Sequence, residues 1–373
     1  MSENKFIFCH RIGEKILLFI LAFVVFAFFS NDFGLADIQK TAIVLAAGID
    51  KADSGGYSVS ATIAVPQSSD TKGKSKETVV TGEGETVAQA FRDINMRTGN
   101  YPKLPFCDLI VLGEEVTKED VFDVLGFFLR NEYMSDNCLL ATCDGKASDI
   151  LNLKLPTEEM TAVGLGRILD NEAKQAGNVS AINLKDFAVG YYSEHQSGYM
   201  PLIKPVDKSV SAATTACFYQ GKRVATLSEE ETFAFNLVNN SIRFATLEVP
   251  YRDGIYALGL KNVKGEIDFK IKGEPRLFVS LKSEAQTLDR SEAESIIQTA
   301  DRLRVPAEVL KEAEKILREG LSSVFSLSQS KGCDLFEVAD KLRKYEPRYH
   351  EAYKGRVLKH TIAEFKVKVS DMA

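Results

Sequence analysis

Few residues in this chain stand at spacings that do chemistry. Gly82-Glu83-Gly84-Glu85-Thr86 leads from a strand-like into a helix-like stretch, the setting of a phosphate-cradling loop. Such a loop needs more glycines and, in its P-loop form, a Lys before the Ser or Thr. Glu85 holds that place here, and Glu83 and Glu85 would repel a phosphate. The segment reads as a tight turn with a helix cap. The histidines are His10, His195, His350 and His360. None has the i,i+4 spacing of a helical metal site, and His350-Glu351 has no second His to complete a zincin motif. His195, His350 and His360 read as surface histidines. Ser197, in EHQSGYM, lacks the preceding Gly of a nucleophile elbow. Ser228-Glu229-Glu230-Glu231-Thr232 lacks the alternating oxygen ligands and central Gly of a calcium loop, and reads as a solvated turn. The sequons at Asn178 and Asn239 are short enough to arise by chance. No catalytic, cofactor-binding or metal residue is assigned, and the chain is expected to be neither an enzyme nor a cofactor protein.

Cysteines narrow the field further. Cys107, Cys138, Cys143, Cys217 and Cys333 lie in the body, and Cys9 near the N-terminus. Cys138 and Cys143 end the strand-like CLLATC, which separates their Cα atoms by about 16 Å. A disulfide needs less than about 7 Å. Buried free thiols acting as small hydrophobes are expected. The net charge of −6 offers no basic surface, so no nucleic-acid partner is expected.

Ile16–Phe29 holds fourteen residues without a polar side chain, with Lys5, Arg11 and Lys15 before it and Asp32 and Asp37 after it. Three readings compete. As a signal peptide it has a basic n-region and an apolar core, and Gly34 and Ala36 are small enough for cleavage before Asp37. As a transmembrane helix it is short of the usual ~20 residues, although Ile12, Phe33 and Leu35 extend it and Lys15 can snorkel. As a buried core helix it would be unusual in lacking polar residues all round. The basic flank places the N-terminus in the cytoplasm and the body outside.

The residues that follow suffice for two domains or a little more, at ~100–200 residues each. Thr41–Ile49 is a continuous apolar run, as in a strand buried on both faces. Tyr57–Val65 alternates, and the two read as a hairpin. Thr78–Thr81 is a short strand. Thr86 caps a helix with the stripe Val87, Ala90, Phe91 and Ile94. Cys107–Gly113 and Asn137–Thr142 are strands. Thr117–Asn131 reads as one helix, with Thr117 and Asp120 approximating a capping box. Ala147–Asn152, Met160–Gln175 and Leu184–Tyr192 read as helices. Pro201 and Pro205 bracket a polar stretch ending near Ser211, which marks the main boundary.

Beyond it, Ala212–Tyr219, Arg223–Leu227, Thr232–Val238, Ser241–Val249, Glu266–Lys272 and Arg276–Lys282 have strand length. The last two form a hairpin across Gly273–Pro275. Ser291 with Glu294 opens a helix towards Arg304, and Pro306 starts the next. Asp334–Tyr345 is a short helix and Ala363–Val369 a final strand. The fold expected is α+β: an N-terminal membrane segment (1–36), then a body of mixed sheets packed with helices, divided into 37–208 and 209–373.

Ala42-Ile43-Val44 followed by Gly48-Ile49-Asp50-Lys51 resembles a signature near the start of Ger(x)C-type spore germination proteins. Other segments resemble that family in the same order: Gly82–Thr86 with Ala90-Phe91-Arg92, Leu109–Glu115, Phe127–Arg130, Leu227-Ser228 with Glu231-Thr232, and Asp334–Leu342 before the basic strand. The resemblance spans nearly the whole chain. It implies a non-catalytic subunit of a nutrient germinant receptor, tethered at the outer face of the inner spore membrane, with two integral-membrane subunits as partners. It implies no ligand residues. An anchored extracytoplasmic solute-binding protein is the alternative and would need a deep pocket with converging polar groups. The family's lipobox, Gly-Cys-Trp-Asp, falls from Asn31 onwards, with Asp32 where the lipidated Cys belongs. A carboxylate cannot form the thioether. The expectation is therefore an uncleaved anchor, Ile16–Phe29 extended towards Leu35.

Overall fold

Helix α1 (17–26) carries only apolar side chains, and these are exposed, Leu17 at 69% and Phe19 at 75%. The computed structural model describes residues 17–26, 41–65, 76–156, 160–207, 209–239, 242–252, 254–290 and 304–372. It divides into two units, 1–41 and 42–373. Among the described residues no helix is long and apolar enough to cross a membrane. The remainder of the expected Ile16–Phe29 segment lies outside the described residues.

In the larger unit the expected hairpin forms. β1 (Thr41–Lys51) and β2 (Tyr57–Val65) pair antiparallel, Ile49 opposite Val59. β3 (Lys76–Gly84), longer than its sequence suggests, continues the meander. Helix α2 (Val87–Thr98) buries the expected stripe of Val87, Ala90, Phe91 and Ile94, and Thr86 caps it by accepting from the Gln89 amide. β4 (Tyr101–Lys103) lies beside β1. β5 (Leu109–Leu112) runs parallel to β1 and to β6 (Leu139–Cys143), and is buried along its whole length as a central parallel strand must be.

The single helix expected over Thr117–Asn131 is two, α3 (Glu114–Thr117) and α4 (Phe122–Leu129). Thr117 is no N-cap: its hydroxyl donates back to the Glu114 carbonyl at 2.7 Å. Asp120 takes the capping role, its Oδ1 accepting from the Phe122 amide at 2.9 Å. The break is set from outside, because the Val121 amide donates to the Gly221 carbonyl at 3.0 Å, a bond no helix interior allows.

α5 (Ala147–Leu151), α6 (Thr161–Gln175), β7 (Ile182–Asn183) and α7 (Leu184–Tyr192) follow. The proline segment is not a polar boundary loop. It forms β8 (Ser197–Val206), with Pro201 and Pro205 flanking Leu202 and Ile203, the two residues paired to β6. The prolines stand outside the β6 pairing, and Thr215 and Val210 oppose them on the other side of the strand. β9 (Ser209–Tyr219) and β10 (Lys222–Leu227) add two antiparallel strands. The large sheet runs β10-β9-β8-β6-β5-β1-β2-β3, with β4 and β7 beside β1 and β6.

The expected strand Thr232–Val238 is instead helix α8 (Glu229–Asn239). Ser228 accepts from the Glu231 amide at 3.2 Å, while Glu231 accepts from the Ser228 amide at 2.8 Å, a capping box. Every residue from Thr232 to Val238 is buried, so no polar face marks the helical period. A second sheet runs β11 (Ala245–Tyr251), β12 (Gly254–Lys272), β13 (Glu274–Arg290) and β14 (Ile362–Asp371), the last parallel to its neighbour. The hairpin turns at Gly273, whose φ is +78°. The expected helix from Ser291 lies outside the described residues. α9 (Ala307–Lys331) lays Val309, Ala313, Leu317, Leu321 and Val324 into the core over this sheet. The chain closes with α10 (Val338–Tyr345), α11 (His350–Tyr353), α12 (Val357–His360) and β14. The α+β body of sheets packed with helices is as expected.

Candidate functional site

The Gly-rich turn at Gly82–Thr86 is structural. A Cβ on Gly82 would stand 2.4 Å from the Ala90 carbonyl oxygen, and one on Gly84 would stand 2.5 Å from the Gln89 Cβ. The glycines let α2 lie flush on β3. Gln89 completes the cap by accepting from the Glu85 amide at 2.9 Å.

The polar chemistry gathers elsewhere, where α7 turns into β8. Asn183 caps α7: its Oδ1 accepts from the Asp186 amide at 2.7 Å and its Nδ2 donates to the Asp186 carboxylate at 2.9 Å. Close packing folds the helix back onto the strand. A Cβ on Gly190 would meet the Ser197 carbonyl oxygen at 2.4 Å, and one on Gly198 would meet the Phe187 ring at 2.6 Å. This leaves residues 193–197 as a tight turn, with Gln196 at φ +45°.

That turn grips the segment that leads into α10. His195 Nδ1 meets Asp340 Oδ2, and the Glu194 and His195 amides donate to the same carboxylate at 3.4 and 3.2 Å. Ser197 Oγ donates to the His195 carbonyl at 2.7 Å and accepts from the Asp334 amide at 2.9 Å. Cys333 Sγ donates to the Phe218 carbonyl at 3.1 Å. His195 is therefore not the surface histidine its polar neighbours suggest: its side chain is 9% exposed. His350 is also half-buried, 3.7 Å from Glu194, whereas His360 is exposed as expected. His10 lies outside the described residues.

A cleft of about 520 Å³ opens beside this clasp. Asp186, His195, Asp334, Glu337 and Asp340 line it, with Ile182, Val189 and Leu335 supplying apolar wall. Asp334 is 3% exposed. Its Oδ2 accepts from the Ala339 amide at 2.9 Å, and its Oδ1 has no partner among the described residues. Burial pushes the Asp334 carboxyl above its ordinary value, against the amides of Ala339 and Val338. Burial also pulls at His195, but the Asp340 hydrogen bond and the charges of Asp334, Asp340 and Glu337 outweigh it and raise the imidazole. Asp340 resists its own burial through His195 and sits below its ordinary value. Among the described residues no group of three His, Cys, Asp or Glu side chains could hold a metal ion.

Sequence reasoning missed Asp334 and Asp340 because both lie in a segment read as a short helix. The available signal was Asp334 itself, an acid set between the apolar Cys333 and Leu335-Phe336. No partner for it is visible from sequence, since Ser197 lies far away in the chain.

Comparison with known proteins agrees with the collinear motifs. The family profile described as "Spore germination protein N-terminal domain" matches residues 35–205, and "Spore germination B3/ GerAC like, C-terminal" matches 213–370. Spore germination protein B3 of Bacillus subtilis (strain 168) is 23% identical over 334 residues, covering 86% of each chain. Spore germination protein KC of the same organism is 23% identical over 185 residues, 46% of this chain and 45% of its own. The fold is similar to that in the crystal structure of the GerBC protein, with TM-score 0.56 and 17% identity over 88% of this chain and 97% of that one. With both halves matched in order, the chain belongs to the Ger(x)C family of spore germination proteins.

Proposed function

We infer that this chain is a non-catalytic, membrane-tethered subunit of a spore nutrient germinant receptor. The observation that carries the reading is the match of both family halves, end to end and in order, over residues 35–205 and 213–370. The same ends support a division of the body into 37–208 and 209–373. Tethering rests on the apolar Ile16–Phe29 segment, held as an uncleaved anchor with its basic flank in the cytoplasm and the body at the outer face of the inner spore membrane. The partners are integral-membrane receptor subunits.

Co-purification of the full-length chain from detergent-solubilised spore membranes tests this. Recovery of a polytopic membrane protein is expected, and repeated failure to recover one rejects the receptor reading. Mass spectrometry of the native N-terminus tests the anchor separately, since a chain beginning at Asp37 refutes it. The solute-binding alternative draws on a different observation, the cleft at Asp334.

A further inference from the structure

We propose that the cleft between α7 and the Asp334–Asp340 segment is a binding site for a small organic monoamine, held through its ammonium group. The cleft has the size of a small-molecule site, about 520 Å³. Its charge is one-sided. Asp186, Asp334, Glu337 and Asp340 line it, and His195 is the one basic side chain among its lining residues. His195 is already held by Asp340. Glu337 pairs with Lys341 at 3.1 Å, and Asp186 accepts from Asn183. Asp334 keeps a buried oxygen, Oδ1, with no hydrogen-bond partner among the described residues. A buried carboxylate oxygen left unsatisfied is costly, and a charged donor placed beside it removes that cost.

The lining also selects among cations. No group of three ligating side chains is available for a metal ion among the described residues. The apolar wall of Ile182, Val189 and Leu335 suits a hydrocarbon body better than a hydrated ion. Among the described residues no Lys or Arg lines the cleft to receive a carboxylate. A zwitterionic amino acid would bring its own anion against four acids. The site therefore favours an amine over an amino acid of the same length.

The inference stands apart from the receptor reading, because a chain that binds no amine can still assemble with membrane partners. The test is calorimetric titration of the full-length chain in detergent micelles with n-butylammonium chloride. 4-Aminobutyrate and potassium chloride serve as matched comparisons. Saturable binding of butylammonium is expected, at least tenfold tighter than 4-aminobutyrate and undetected with potassium. Asp334→Asn should weaken it at least tenfold. Should that variant fail to fold, Val189→Lys places a cation at a 58% exposed position on the cleft wall and should weaken binding by a similar factor. No saturable binding by the native chain overturns the proposal. So does equal binding of 4-aminobutyrate, or undiminished binding by a folded variant.

Discussion

Ser197 Oγ accepts a hydrogen bond from the Asp334 amide at 2.9 Å, joining residues 137 positions apart. Two residues before Ser197, His195 closes on Asp340, six beyond Asp334. One short turn after α7 thus holds both ends of the segment that starts α10. The carboxylate of Asp340 takes two backbone amides and an imidazole, so its loss strands three donors at once. Asp340→Ala is expected to cost about 2 kcal/mol, below the ~3–5 kcal/mol of a fully buried pair because Asp340 keeps 21% exposure and a nearby Arg343. Denaturant unfolding of the two chains checks this.

The clasp should also be felt in the pH dependence of stability. His195 has a raised folded pKa, so its contribution is complete below its ordinary 6.5 and is lost as pH climbs through the higher folded value. Asp334, also raised, withdraws stability as pH rises above 3.8. Asp340 is lowered when folded, so its contribution holds above 3.8 and fades only in stronger acid. Glu194, Glu337, Lys341 and Arg343 face the same cluster. Stability should fall as pH rises above 6.5, and His195→Gln should flatten that fall. An unchanged slope in the variant would assign the effect to other groups.

Glycines separate into two kinds, and substitution distinguishes them. A methyl on Gly82 would enter the backbone of α2, 2.4 Å from the Ala90 carbonyl oxygen, so either the helix or the strand must move. Gly82→Ala should destabilise by about 2–3 kcal/mol, as overpacking does. Gly126 lies inside α4, where a Cβ would meet only the flexible end of Arg130 at 3.0 Å. Gly126→Ala should leave stability unchanged or raise it by up to about 1 kcal/mol, through helix propensity. Thermal melts of the two single variants should move in opposite directions or differ clearly in size.

Much of the N-terminal half was legible because its elements keep a plain period. The α2 stripe and the β1–β2 hairpin follow from the spacing of apolar residues. What failed to show were contacts arriving from distant sequence. α3 and α4 separate because Gly221 claims the Val121 amide, and nothing local to Val121 announces it. His195 reads as exposed because its partner Asp340 lies 145 positions away. α8 fails differently. Its residues are buried all round, so the chain shows an apolar run without periodicity, and β-branched Thr232 and Val238 with two phenylalanines favour strand.

The capping box decides α8, and it can be tested. Ser228 satisfies the Glu231 amide and Glu231 returns the bond, fixing the first turn of a helix that has no solvent face to define it. Ser228→Ala should cost about 1 kcal/mol, and Ser228→Asn only a few tenths, since Asn caps as well as Ser. Equal losses in chemical denaturation would assign the effect to the Ser228–Glu230 bond at 2.9 Å.

The thiols make the last prediction. Cys107, Cys138, Cys143, Cys217 and Cys333 are all unpaired and fully buried. Reaction with a disulfide reagent requires the thiolate. Burial pushes Cys143 up to about 12. The neighbouring Cys107 thiol and burial raise Cys138, and Cys333 and burial raise Cys217. Attack is thus blocked both sterically and by protonation. In a Cys9→Ser chain at neutral pH, Ellman's reagent should find no reactive thiol in the native protein and five after unfolding in guanidinium chloride. Fast reaction of any one thiol in the native chain would reveal a local opening. Which sulfur reacts would locate it, the Cys217–Cys333 pair implicating the seam beside Phe218 where the Ser197–Asp334 clasp also sits.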